Sequence, residues 1–149
     1  MNIRFLTGRF AVADGAPAAR QIGELKAQGI GSVVSLRMAG ERGETMAPED
    51  EGAAVEGAGM AWLHFPLAPP QVGDVEKTDD LSRRMQELPA PVLIHCASGA
   101  RAAAMAISVC TIGENWDAET AARKAADAGI AVPPELAPNV DAYVQAKRA

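Results

Sequence analysis

A short apolar run, Val92-Leu93-Ile94, is fenced on one side by Pro91 and runs on the other into His95-Cys96-Ala97-Ser98-Gly99-Ala100-Arg101, after which the chain is rich in alanine. The run has the length and composition of a buried strand, and the alanines after Gly99 favour helix strongly, so the residues between must make a strand-to-helix loop. Such a loop has a chemical character fixed by its ends. The first amides of the helix lack intrahelical acceptors and sit at the positive end of the helix dipole, so Ala97, Ser98, Gly99 and Ala100 can wrap an anion. Gly99 can take a positive φ and turn its neighbours' amides inward. Cys96, at the strand end, meets the same field, which favours the thiolate and therefore the nucleophile. Arg101 closes the loop with a planar fork of donors that matches an oxyanion bidentately. His95 has two readings, a satisfied histidine at a strand end or a group that hydrogen-bonds the loop and helps hold the thiolate.

The rest of the chain alternates strand and helix signals. Phe10-Ala11-Val12-Ala13 reads as a strand, and Ala16-Pro17 opens a helix with Ile22 and Leu25 on its inner face. Ser32 to Leu36 is a second buried strand, followed by a polar, glycine-containing loop from Arg37 to Thr45. Pro48-Glu49-Asp50-Glu51 has the proline-plus-acid composition of a helix start, continuing to about Ala58. Trp62 to Phe65 is a third strand, stopped by Pro66; Val75 to Leu88 is a helix with Leu81, Met85 and Leu88 along one face. After the Cys96 loop the pattern predicts helices from Ala100 to about Ile112, from Asp117 to about Ala128, and from near Pro134 through Tyr143. This order predicts a single α/β domain, a three-layer sandwich around a mostly parallel sheet of about four to five strands, with ligands bound at the carboxyl ends of the strands, where Cys96 falls.

Composition narrows the functions. A net charge of -5 argues against binding to nucleic acid or an anionic membrane. Two cysteines, Cys96 and Cys110, make no disulfide framework and point to a reducing, cytoplasmic setting. Cys110 follows Ile107 and Val109 and reads as a core residue; a disulfide to Cys96 would need the two Cα atoms within about 7 Å. The N-terminal residues lack an apolar leader, and no run approaches the roughly 20 residues that span a bilayer. With only His64 and His95 and no paired ligand spacing, neither a metal nor another cofactor is expected.

At the Cys96 loop the chain resembles the cysteine-dependent tyrosine and dual-specificity phosphatases, in which a His-Cys-loop-Arg signature supplies nucleophile and phosphoryl-binding arginine. Gly-Arg-Phe-Ala-Val-Ala at 8–13, Gly-Ile-Gly-Ser-Val-Val-Ser-Leu-Arg at 29–37, His-Phe-Pro-Leu at 64–67 and the helix at 117–129 are most similar to the bacterial phosphatase-like domain found fused to beta-lactamase-hydrolase-like proteins. The resemblance covers roughly residues 5 to 130. It implies phosphoric monoester hydrolysis through a cysteinyl-phosphate, with Cys96 as nucleophile and a phosphorylated substrate or small oxyanion as partner. Four residues separate Cys96 from Arg101, where such phosphatases have five. That is the spacing of rhodanese-type sulfurtransferases, which carry a persulfide, although the Asp-x-Arg and Gly-His-Ile-Pro-Gly-Ala-like segments of rhodaneses are not present. A non-catalytic anion-binding domain is the third reading. The resemblance also implies a general acid after the third strand, where this chain has Ala68-Pro69-Pro70. Asp74 is the nearest candidate, its other reading being the N-cap of the next helix, with Asp79 and Asp80 in the first turn. Arg37 could supplement the anion site or be a solvated arginine, and Glu41, Arg42, Glu44, Glu49, Asp50 and Glu51 read as a solvated polar stretch.

Overall fold

The computed structural model describes residues 1–41 and 44–149. Five strands form one sheet: β1 (Ile3–Phe5), β2 (Phe10–Ala13), β3 (Ser32–Ser35), β4 (Ala61–His64) and β5 (Val92–His95), in the spatial order β1-β2-β5-β3-β4. β2, β5, β3 and β4 are parallel, and β1 turns back to pair antiparallel with β2. The expected α/β sandwich is therefore present, with the apolar run Val92-Leu93-Ile94 in the central strand, where both faces are covered: Val92 to His95 are all buried.

Helices cover both faces. α1 (Ala19–Ala27) and α2 (Pro48–Gly57) bury Ile22, Leu25 and Val55 against Val33 and Leu93 on one side. α3 (Val75–Gln86), α4 (Ala100–Gly113), α5 (Ala118–Ala128) and α6 (Ala137–Arg148) lie on the other, where Leu81, Met85, Met105 and Val140 pack on Val34, Val92 and Ile94. Because β5 is central, it is buried on both faces and its apolar residues need not alternate with polar ones.

Three elements depart from the sequence reading. β1 is absent from that reading: it is only three residues long and its residues are partly or largely exposed, so no apolar alternation marks it. The last helix begins at Ala137 rather than near Pro134, because a turn in which Leu136 N–H donates to Pro133 O precedes it. It also runs on to Arg148. Between β4 and α3 the chain makes a short 3-10 turn, Pro69–Gln71, before α3 starts. Among the described residues no helix is long and apolar enough to cross a membrane.

Candidate active site

β5 delivers Cys96 to the carboxyl edge of the sheet, and α4 begins four residues later. The turn between them needs Gly99, which has φ +93; a Cβ there would stand 3.0 Å from Asp14 Cα and 3.3 Å from Ala13 O, so a side chain has neither the conformation nor the room. Gly99 N–H donates to Cys96 Sγ at 3.2 Å, an interaction that stabilises a thiolate more than a thiol. Cys96 is buried, while Ala97, Gly99 and Ala100 are half-buried and Ser98 is exposed.

Arg101 is buried in the first turn of α4, and its guanidinium is held by two partners from other elements. Nη1 donates to Glu41 Oε2 and to Leu67 O, both at 2.8 Å, and Nη2 donates to Glu41 Oε1 at 2.5 Å. The hydrogen bonds from Arg101 keep the Glu41 carboxyl below the usual carboxylate range, against the cost of its partial burial, and the Met38 amide, donating at 2.7 Å, helps. Reciprocally the Arg101 guanidinium is pushed above its ordinary value, first by Glu41 and, against desolvation, also by the adjacent Cys96. Glu41 thus corrects the sequence reading that placed it in a solvated stretch. Its partner lies 60 positions away, a distance at which no local pattern operates.

Two more charged groups are buried: Arg37, for which a solvated side chain is one of two sequence readings, and Glu51, read as part of a solvated stretch. Arg37 is buried, with its Nη2 donating to Glu41 O at 3.4 Å and its own carbonyl accepting from His64 Nε2 at 2.7 Å. Glu51 is buried as well, and its Oε2 lies 2.5 Å from His95 Nε2. Both sequence readings of His95 meet in its contacts: Nε2 lies against Glu51, and Nδ1 is 3.4 Å from Cys96 O in the loop, so the residue grouped with the substrate-contacting loop positions 97–100 turns its ring to the protein rather than outward. Its fully buried ring is turned beneath the loop toward α2, since alternation along β5 sends it to the face opposite Ile94. Glu44, Glu49 and Asp50 are half-buried or exposed, and Arg42 lies outside the described residues.

Asp74 has a structural task. It is the N-cap of α3, its Oδ2 accepting from Lys77 N–H at 3.0 Å, as one of its two sequence readings has it. Asp79 and Asp80 are engaged elsewhere: Asp79 accepts from Tyr143 Oη at 2.7 Å and Lys147 Nζ at 2.9 Å, and Asp80 pairs with Arg83 and Arg84. Ala68-Pro69-Pro70, which follows the Leu67 whose carbonyl accepts from Arg101, contains no acid. Cys110 is buried in α4 with its thiol pushed up to about 12 by desolvation, which favours the neutral thiol of a core residue, and both cysteines are free. Among the described residues no group of three or more His, Cys, Asp or Glu could hold a metal. A groove of about 630 Å³ opens between α4, α5 and α6, but it is lined mainly by Ala, Val and Ile and has no nucleophile.

The fold is shared with known proteins. Among solved structures the chain is similar to a DUF442 phosphatase candidate from Shewanella putrefaciens CN-32, at 26% identity and TM-score 0.73 over 97% of this chain and 91% of that one. It also shares its fold with P. aeruginosa TpbA, solved with pTyr bound, at 20% identity and TM-score 0.71 over 97% of this chain and 83% of that one. Tk-PTP in its active form matches at 22% identity and TM-score 0.71 over 96% of each chain. No curated protein matches the chain. Residues 2–113 match the family described as beta-lactamase hydrolase-like protein, phosphatase-like domain, and with three-quarters of its length so matched the chain belongs to that family.

Proposed function

We propose that the protein is a cysteine-dependent phosphoric monoester hydrolase of the tyrosine/dual-specificity type. The observation that carries the reading is Cys96 Sγ receiving the Gly99 amide at the N-terminus of α4, with Arg101 anchored beside it by Glu41 and Leu67. In the first step the Cys96 thiolate attacks phosphorus, an S–P bond forms, and the bond to the leaving oxygen breaks. The equatorial oxygens gain charge that the loop amides of Ala97 to Ala100 and the free edge of Arg101 stabilise. Water then attacks phosphorus, the S–P bond breaks, and inorganic phosphate leaves with the thiolate restored. A phosphorylated substrate or small oxyanion is the partner, and the residues called for need no cofactor.

With Asp74 committed to capping α3, the leaving oxygen takes its proton from water. General acid catalysis supplies on the order of 100- to 10,000-fold, so its lack falls hardest on poor leaving groups. The four-residue spacing favours a second reading, a sulfurtransferase that holds a persulfide on Cys96. One experiment separates them: turnover of aryl phosphates of graded leaving-group pKa, beside thiosulfate plus cyanide, on wild type, Cys96→Ser and Asp74→Asn. Slow phosphate release that falls steeply with leaving-group pKa, is lost in Cys96→Ser and is unchanged in Asp74→Asn is the expected result. Thiocyanate formation without phosphate release would establish sulfur transfer. A flat dependence that steepens in Asp74→Asn would make Asp74 the general acid.

A further inference from the structure

The groove between α4, α5 and α6 shares no residue with the Cys96 loop and takes no part in the proposed chemistry. α5 presents Ala118, Ala121, Ala122 and Ala125 to it, the spacing of one helix face, yet no residue of α5 is buried. An apolar face at that spacing is ordinarily pressed into a core. Here it borders about 630 Å³ of open space, with Val140 and Val144 of α6 and Ile107 of α4 completing the lining. That volume falls within the roughly 300–1,000 Å³ of small-ligand sites, which set a few polar groups into an otherwise apolar wall.

Two such polar groups meet at one end. Thr111, also lining the groove, is 3% exposed, and its Oγ1 is buried with no hydrogen-bond partner among the described residues. A buried hydroxyl without a partner has given up the hydrogen bonds that water supplies, so it marks a place where a ligand atom completes the structure. Arg148 reaches the same place: its Nη2 donates to Thr111 O at 3.4 Å and to Trp116 O, which leaves Nη1 and Nε uncommitted. Among the described residues no carboxylate stands within ion-pair distance of Arg148, and Asp117, which feels its charge, accepts from the Thr120 amide. Along α6 the rim runs Asp141, Gln145, Arg148, so about 10 Å separates an acidic end from a basic one.

Shape and charge together choose the occupant. A helix about 10–12 Å across would fill this volume with little more than one turn, so a partner helix does not fit. An extended aliphatic chain does. The basic end calls for an anionic head small enough to accept from a hydroxyl and a guanidinium at once, and Asp141 repels such a head from the other end. We infer that the groove binds a free aliphatic carboxylate in one direction, its head at Thr111 and Arg148 and its chain between the alanines of α5 and the valines of α6.

Titration calorimetry with decanoate, octanoate and decanol, each below the concentration at which it self-associates, tests this. Decanoate is expected to bind once per chain, octanoate about 15-fold more weakly for the two methylenes it lacks, and decanol about 10- to 100-fold more weakly for its missing charge. Arg148→Gln is expected to bring decanoate close to decanol and to leave decanol unchanged. Thr111→Val, which removes only the hydroxyl, is expected to weaken decanoate without loss of stability. Ala121→Phe fills the slot and is expected to bind neither compound. Arg101→Lys, altered at the Cys96 loop, is expected to bind decanoate as wild type does, so the result stands whether or not the protein is a hydrolase. Equal affinity for decanoate and decanol in wild type, or undiminished decanoate binding in folded Ala121→Phe, would overturn the proposal. If Ala121→Phe does not fold, Arg148→Gln decides alone, and unchanged decanoate affinity there overturns it. A wild-type dimer that Ala121→Phe dissociates would overturn it too, making the groove a contact between copies of the chain.

Discussion

Arg101 commits three of its guanidinium hydrogens to the protein. The two Nη1 hydrogens go to Glu41 and Leu67 O and one Nη2 hydrogen to Glu41, which leaves Nε–H and the second Nη2–H together on one edge. That edge is itself a bidentate fork for a tetrahedral oxyanion, and Glu41 fixes the plane in which it lies. Arg101→Lys keeps the charge and can keep one contact to Glu41, but a lysine has no second edge to offer. The variant is expected to fold normally and to bind phosphate or vanadate about 10- to 100-fold more weakly, as loss of a charged hydrogen bond of about 1.5–3 kcal/mol requires. Titration calorimetry on both proteins checks this; equal affinities would assign the anion to the loop amides alone. At this scale the sequence was informative for residues that act through their neighbours in the chain. Cys96, Gly99 and Arg101 share one loop, and their types and spacing carry the chemistry. Glu41, Arg37 and Glu51 act through partners folded onto them from elsewhere, and in sequence a charged run with glycine looks the same whether it is solvated or wrapped around a buried guanidinium.

Between elements, the junction that leads from β4 into α3 shows how a loop without regular structure is held. Asp74 caps α3, and the preceding Gly73 has φ +83 with a Cβ position only 2.2 Å from Asn139 O. Asn139 in turn donates through Nδ2 to Val72 O at 2.9 Å, so α6 is pinned against this loop. Asp74→Ala should cost about 1 kcal/mol, the usual worth of an N-cap, without altering anion binding. Gly73→Ala should cost clearly more, because it adds an unfavourable backbone conformation to a clash with backbone that cannot swing away. Denaturant unfolding of the two variants gives the comparison, and a Gly73→Ala protein as stable as wild type would mean that α6 shifts freely. Helices with an apolar face and a proline or acidic start, such as α2 and α3, could be read from sequence to within a residue or two. β1 and the start of α6 could not. The first is short and edge-exposed, and the second is delayed by a turn whose hydrogen bonds, not its composition, decide where the helix starts.

For the molecule as a whole, the strand order puts the chemistry at one end of a sheet whose central strand is β5, an arrangement implied by alternating strand and helix signals but not by any one of them. The same assembly leaves several carboxylates better stabilised folded than unfolded. Asp14 accepts from the Asn2 amide, Glu41 from Arg101, and Asp117 from the Thr120 amide; each carboxyl lies below its ordinary range for that first reason. Burial works against Asp79, but Tyr143 and Lys147 outweigh it and lower that carboxyl too. In each case the folded-state value is depressed, so the stability contributed is full where the unfolded chain is ionised and is lost as pH falls through the unfolded and then the folded value. The protein should therefore hold its stability down to about pH 5 and lose it progressively below, as the unfolded chain takes up protons first. Three of these groups tie together separate parts of the chain, Asp14 the N-terminus to the end of β2, Glu41 its loop to Arg101 and Asp79 α3 to α6, while Asp117 caps the start of α5 locally. Acid should thus loosen the site and the scaffold in one pH window. Thermal unfolding across that window, with phosphate binding followed in parallel, tests the expectation. Glu41→Gln should flatten the slope, because it removes one of the depressed carboxylates, while its stability above about pH 6 drops below that of wild type. A Glu41→Gln protein whose acid slope matches wild type would show that the Arg101 contact makes no net contribution to folding.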